Sequence, residues 1–471
     1  MATPDQPAAK PMAVPPTRAE LIIYALGNAA VVMGNGLINA LQFPIFNMVL
    51  GLSPGMIGTI AGISRVLDAL ADPVMGQVSD NTRSRFGRRM PYIFAGGVLS
   101  MLCLGIFYWC GEGWDSTAIL AWFGVLLFVF NLATTVIGVP YYALGIEMGT
   151  DYDQRTRVVA YRSFMDKMLG ILANWYFRFT EMFAHALNGA RWLAGLIAVF
   201  GIGATLTLVL KNKEHRYAAV AKNSPAPEGF WSTIGSVLSN PVYLRLLAIW
   251  SILTLNTGVF SALGLYLNVY YVYGGDKAAG ATLGGVIGTL GLVLSTLAIP
   301  FTKFLCDRLG KHRALVLALW LYIGGSILKW WCVNPNYPWL QLVLPFFFSI
   351  GISSIYIVMS AMQADVVDMD ELRSGKRREG MFGAIGGWVM KMGGSLAIAL
   401  SGWVVVWTGF HVAQGADQPD GVFFAMRVCF SVIPATGSLL ALWAIRGWPL
   451  TRERCEEIRM TLAARHAAAG E

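Results

Sequence analysis

Charged side chains are scarce in this chain. Asp, Glu, Lys and Arg make up 13% of its 471 residues against 56% hydrophobic residues, and the mean hydropathy is +0.56. A soluble globular domain carries about twice that charged fraction, so this class is excluded. Histidine is scarcer still. His185, His215, His312, His411 and His466 all fall in loops, tails or near the ends of apolar runs, and none forms an HExxH pair. Cys103, Cys110, Cys306, Cys332, Cys429 and Cys455 make no CxxC and no Cys/His cluster, which excludes a zinc site and a disulfide framework. With no nucleophile and base at recognisable spacing, the chain is not expected to be an enzyme, and no cofactor is expected. A repeated carbonyl-rich filter segment is also missing, which argues against a channel. Residues 1–19 lack the charged, apolar and small-residue regions of a signal peptide and read as a tail. The net charge of +8 does not imply a nucleic-acid partner, because Lys and Arg fall in short loops instead of one stripe.

What is abundant is the apolar run of about 20 residues or more, the length that crosses a bilayer as a helix. Six such runs lie near 20–48, 55–79, 91–110, 118–146, 158–181 and 190–210. Six more lie near 242–272, 280–305, 312–332, 338–364, 380–409 and 420–446. The expected protein is therefore all-α and polytopic, with twelve transmembrane helices embedded in the lipid bilayer. Its organisation is a tail at 1–19, a six-helix half at 20–210, a polar linker at 211–239, a second six-helix half at 240–446 and a charged tail at 447–471. Basic residues gather in the loops at 80–89, 211–222, 303–313 and 373–378, so both termini and the linker are expected in the cytoplasm. The halves echo each other: GQVSDNTRSRFGRR follows the second run, and CDRLGKHR follows the second run of the later half. Repeated halves that present a central site to each side in turn are a transporter device, and this placement points to the major facilitator fold.

Ionisable groups inside the apolar runs are costly and mark functional sites. Asp68 and Asp72 are four residues apart, which puts both carboxylates on one helix face. They are the expected cation site, with sodium as the coupling ion and a proton as the alternative, since hard cations take oxygen ligands. Arg65, one turn earlier, is expected to compensate them when the ion leaves. Arg162 and Lys391 are the positive groups buried in the fifth and eleventh runs, Tyr142 offers a stacking face, and Asn28 shares a face with Asn35 and Asn39 in the first run. Asn28, Tyr142, Arg162 and Lys391 form the expected substrate site. Lys329 lies near an outer end, where its side chain is free to snorkel. Asp80 and Arg88 in the second loop are expected to lock a helix end. A second lock is expected between Arg155 and Arg157 of one half and Asp365, Asp368 and Glu371 of the other, formed when the inner side closes.

The pattern resembles the glycoside, pentoside and hexuronide to cation symporters over nearly the whole chain. The resemblance is carried by RVLDALADPVMG (65–76), RSRFGRRMPYI (83–93), VPYYAL (139–144), TDYDQRT (150–156), ADVVDMDE (364–371) and the segment at Lys391. It implies a major facilitator fold that works as a monomer in the bacterial inner membrane. It also implies that Asp68 and Asp72 hold the cation and that Arg162 and Lys391 lie near the sugar and cation sites. Two features depart from the family's melibiose carriers. The first run reads YALGNAAVVM, with no acid to bind sugar hydroxyls, and Gly138 stands where an Asp precedes the Pro of the fourth run. Galactoside recognition therefore does not carry over. The expected function is cation-coupled symport of a glycoside or acidic sugar, with sodium-dependent transport of a lysolipid as the alternative.

Overall fold

The computed structural model describes residues 15–111, 113–149, 152–212, 235, 237–376 and 378–469. The expected linker at 211–239 and the tail at 1–19 lie largely outside these residues. Twelve helical rods account for nearly all of the rest. In the first half they are α1 (Arg18–Phe43), α2 (Pro54–Asn81), α3 (Met90–Ile106), α4 (Ser116–Met148), α5 (Tyr152–Ala173) and α6 (Ala186–Lys211). In the second they are α7 (Pro241–Gly258), α8 (Lys277–Leu309), α9 (Lys311–Cys332), α10 (Leu344–Ser374), α11 (Glu379–Trp407) and α12 (Val422–Ala444). Local chemistry explains where several begin. Thr17 and Glu20 close a capping box on α1, and Asp115, Asn240 and Asp276 cap α4, α7 and α8 by accepting from backbone amides.

Among the described residues, nine segments are long and apolar enough to cross a membrane by length and composition. The other three rods fall short for visible reasons. α3 has 17 residues. α2 carries Arg65, Asp68, Asp72 and Asp80, and α5 carries five charged side chains between Arg155 and Lys167. Their charge is affordable because α2 packs along α4 and α11 and α5 along α1, which keeps the polar faces against protein.

Two seams join the halves. Along the first, α2 approaches α11 closely. A Cβ on Gly58 would lie 2.9 Å from the carbonyl oxygens of Ile398 and Ala399, and one on Gly62 would lie 2.8 Å from that of Ser395. Only glycine allows this backbone contact. Along the second, α5 meets α8, where Lys167 donates to Ser295 (2.8 Å) and Trp175 to Thr289 (3.0 Å). The end remote from the chain termini is closed across the halves. Tyr266 donates to Asn47 (2.6 Å), Lys277 donates to the Met48 carbonyl (3.0 Å), and the Phe43 and Tyr266 rings meet edge to face.

The expected C-terminal tail is a helix, α13 (Arg452–Ala469), packed against α10. Ile458 and Leu462 are buried in the core of the second half, so a segment that reads as charged has one apolar stripe. α5 also differs from its expected span: it begins at Tyr152, breaks at Asn174 and Trp175, and resumes as one turn at Tyr176–Thr180.

Candidate functional site

Asp68 and Asp72 point from α2 toward the α11 seam. There Lys391, from the other half, places its Nζ 2.7 Å from Oδ2 of each. Thr135 on α4 completes the group. Its single hydroxyl proton goes to Asp68 Oδ1 or to Asp72 Oδ1, the latter 3.3 Å away. One turn along the same pair of helices, Asn131 donates to Ser64 (2.8 Å), so α2 and α4 are zipped by two polar rungs. The Asp68 side chain is 7% exposed, Asp72 37% and Lys391 27%. The deeper carboxylate is therefore held by its neighbours, and the shallower one faces open space. Two carboxylates around one ammonium leave a net charge of −1, which matches one monovalent cation or one proton.

Arg65 stays within electrostatic reach of Asp68 but is not the aspartates' direct partner. Its guanidinium turns to α1 and donates to Asn35 Oδ1 (3.2 Å), and the base that meets both aspartates is Lys391. The i,i+3 spacing put Arg65 on the right face but left its direction along the helix open.

The expected substrate group divides in two. Asn28, Tyr142 and Arg162 gather in the first half, where Asn28 donates to Asp166 and the Arg162 guanidinium lies 5.0 Å above the Tyr142 ring. Beneath them Tyr24 and Tyr141 stack at 4.5 Å, and each hydroxyl donates to the other's carbonyl. Asn28 Oδ1 and Arg162 Nε are buried and have no protein partner. Lys391 belongs instead with the carboxylates.

The charges of the loop after α2 are paired within the first half. Arg88 pairs with Glu147 at the end of α4, and Arg89 bridges Glu147 (2.9 Å) and Asp80 (3.2 Å). In the second half Lys311 holds Asp365 on α10 at 2.6 Å. In both halves, then, the basic loop after the second rod grips an acid on the fourth, and the sequence echo becomes a repeated contact. Arg155 and Arg157, expected to meet the acidic set when the inner side closes, make no such pair in this structure, which is closed at the opposite end. Both are exposed, and Arg155 donates to the Gly149 carbonyl (3.1 Å). The acidic set is occupied by α13: Arg459 reaches Asp365 (3.0 Å) and Asp368 (3.6 Å), and His466 meets Glu371 (3.0 Å). Reading matching charges at equivalent inner ends overlooked the third partner, because the tail had not been recognised as a helix. Beside this cluster, burial and the Asp365 carboxylate raise the Cys455 thiol to about 11.

A cavity of about 890 Å³ lies between the halves toward the closed end. Its polar lining includes Asn39, Gln42, Asn174, Asn256, Lys329 and Gln341. Lys329 does not snorkel: it is 8% exposed and lies between the Phe348 and Phe430 rings. Sequence reading passed over Lys329, Gln341, Asn256 and Thr135. A lone Thr, Asn or Gln in an apolar run leaves no pattern, and for Lys329 proximity to a span end outweighed its charge. Asp166 was visible one turn after Arg162, but its partner on α1 was not.

The fold matches solved transporters. The nucleoside transporter NupG, in a mutant form, superposes with a TM-score of 0.66 at 12% identity, over 90% of this chain and 99% of that one. In sequence the chain is 25% identical to the uncharacterized symporter sll1374 of Synechocystis sp., over 88% of this chain and 91% of the relative. It is 24% identical to the putative glycoside/cation symporter YagG of Escherichia coli, over 90% of each. The family described as MFS/sugar transport protein matches residues 23–452, which takes in both halves, both seams and the Asp68, Asp72 and Lys391 cluster, and the chain belongs to that family of membrane transporters.

Proposed function

We propose that the protein accumulates a glycoside-type solute by coupling its movement to the inward flow of sodium. The site alternates between the two faces of a bacterial inner membrane, with both chain termini in the cytoplasm. The observation that carries this reading is Lys391, whose ammonium reaches from one half to both carboxylates of the other. In the empty carrier the ammonium neutralises one of the pair's two negative charges and joins the halves. An arriving cation competes for the same oxygens, and Lys391 is then released from at least one of them. The ion is thus linked to the seam along which the halves move, and an ion that binds one arrangement better shifts the balance toward it. Sodium is favoured over a proton because the cluster offers four carboxylate oxygens and the Thr135 hydroxyl, a set of hard ligands around one position. The glycoside class rests on family membership and on the name of the Escherichia coli relative. The neutral amides and aromatic faces between the halves suit such a solute, since hydroxyls meet amides and the apolar face of a ring meets aromatics.

The test is uptake by purified protein in sealed proteoliposomes. An imposed sodium gradient is expected to drive accumulation of a glycoside. Asp72→Asn is expected to abolish that accumulation while labelled solute still exchanges, because exchange does not require the empty carrier to return. Equal accumulation by wild type and variant rejects the assignment of the ion to this pair. Accumulation driven only by a proton gradient replaces sodium with a proton. Uptake of lysophosphatidylcholine alone replaces the solute.

A further inference from the structure

In the first half, α3 and α6 touch along their inner portions and part toward the end remote from the chain termini. A Cβ on Gly97 would lie 2.6 Å from the Thr205 hydroxyl, one on Gly105 would meet Ala198 at 3.6 Å, and one on Gly195 would meet nothing within 4 Å. The parting leaves a groove of about 950 Å³. Trp109, Trp192, Leu196, Val199 and Phe200 line it, and each is between 47% and 74% exposed. On a membrane-spanning bundle, an apolar stripe of this kind faces acyl chains. The mouth of the groove is polar. His185, Asn188 and Arg191 line it in the first turns of α6, beside the two tryptophans, and Trp marks the level of a bilayer interface. Arg191 is held in place: its Nε donates to the Tyr108 carbonyl (3.0 Å), Nη1 to Asn188 Oδ1 (2.9 Å) and Nη2 to the Cys110 carbonyl (3.0 Å). Its guanidinium also lies 5.6 Å from the centre of the Trp109 ring. All of these partners are neutral, and the three bonds leave two of the five N–H groups for another acceptor. Among the described residues, no Asp or Glu lines the groove. A fixed cation thus stands at the interface end of an apolar channel that runs along α6 to Phe200, about 14 Å deeper at 1.5 Å per residue.

We propose that this groove binds one anionic glycerophospholipid of the phosphatidylglycerol class, drawn from the leaflet at the end remote from the termini. Its phosphodiester pairs with Arg191, and one acyl chain lies along Leu196, Val199 and Phe200. One guanidinium balances one phosphodiester. Phosphatidylethanolamine brings an additional ammonium, for which the groove offers no carboxylate among the described residues. The bound lipid fills the wedge where α3 and α6 do not touch and braces the two helices there. It is a resident of the site and not cargo, because the groove opens on the outside of the first half and shares no lining residue with the cavity between the halves.

The experiment titrates delipidated full-length protein in detergent with phosphatidylglycerol or phosphatidylethanolamine of identical acyl chains and counts bound lipid by native mass spectrometry. The wild type is expected to take up its first phosphatidylglycerol about fivefold or more tightly than phosphatidylethanolamine, the scale of one Arg acting on one lipid charge. Arg191→Gln is expected to bring the two affinities together. Because Arg191 also ties down the end of α3, Gly195→Leu is the second variant. Its added side chain enters the groove without a clash, and Leu is a better helix former than Gly, so the fold is kept. Gly195→Leu is expected to remove the tight phosphatidylglycerol step by filling the place of the acyl chain. Equal affinities of the wild type for the two lipids, or a phosphatidylglycerol preference that survives Gly195→Leu, overturns the lipid site. Neither result touches the assignment of Asp68, Asp72 and Lys391, none of which lines the groove.

Discussion

At position 391 a single ammonium determines how two carboxylates behave. With Lys391 in place the trio carries a net −1; without it, Asp68 and Asp72 face each other across one turn of α2 with only the Thr135 hydroxyl between them. Like charges at that spacing repel, and the repulsion is strong where water is excluded. Lys391→Gln is therefore expected to raise sodium affinity by about tenfold, since the ion no longer competes with an ammonium, and to depress gradient-driven uptake because the ion is released poorly. Radioactive sodium binding to purified protein checks the first expectation and proteoliposome uptake the second. Sodium affinity equal to that of the wild type would show that Lys391 does not share the ion's oxygens. A change at Asp68 should be more disruptive than one at Asp72, because the deeper side chain has no open space in which to find another partner.

The C-terminal helix α13 is an element whose attachment can be followed directly. It is held by Arg459 on Asp365 and Asp368, by His466 on Glu371, and by Ile458 and Leu462 in the apolar core. Cys455 reports on that docking. Burial first, and the Asp365 carboxylate second, raise its thiol from 9.0 to about 11, so the neutral form is favoured while the helix is docked. Only the thiolate reacts with alkylating reagents. At pH 8 about one thiol in a thousand is then ionised in the docked helix, against about one in ten for a thiol at 9.0. In a variant that keeps Cys455 as its single cysteine, maleimide labelling is expected to be slow at pH 8 and to rise steeply with pH up to about 11. Arg459→Glu, which places like charges together and frees the helix, should speed labelling at pH 8 by up to about a hundredfold. The sign follows from the raised value: docking is strongest below the free thiol's range and weakens as pH rises through that of the docked one. Equal labelling rates with and without the Arg459 change would mean that α13 does not shield the thiol.

Across the whole molecule, the contacts between halves run from the middle of the bundle to the end remote from the termini. Tyr266 to Asn47, Lys277 to Met48, and the close approach of α2 to α11 hold that end shut. If transport requires the two ends to open in turn, fixing this end should stop it. Replacing Asn47 and Tyr266 together by cysteine and bridging them with a short reversible thiol cross-linker is expected to arrest uptake. Cleaving the bridge should restore it, and each single substitution should leave the cross-linker without effect. A bridged carrier that continues to accumulate solute would require a different route through the bundle.

Composition and apolar run length pointed to a polytopic protein of twelve rods, because run length answers to the thickness of a bilayer. The sequence also identified Asp68, Asp72, Arg162 and Lys391 as the groups out of place in lipid, since a charge in an apolar run is conspicuous whatever surrounds it. Partnership was beyond its reach. That Lys391 meets both aspartates while Arg65 turns to Asn35, that Asp365 and Asp368 are met by α13, and that Lys329 faces a cavity instead of the membrane surface all depend on which rods lie side by side. Spacing along a chain specifies the face of one helix. The neighbour of that face is set by packing among residues hundreds of positions apart, and that is decided when the two halves come together.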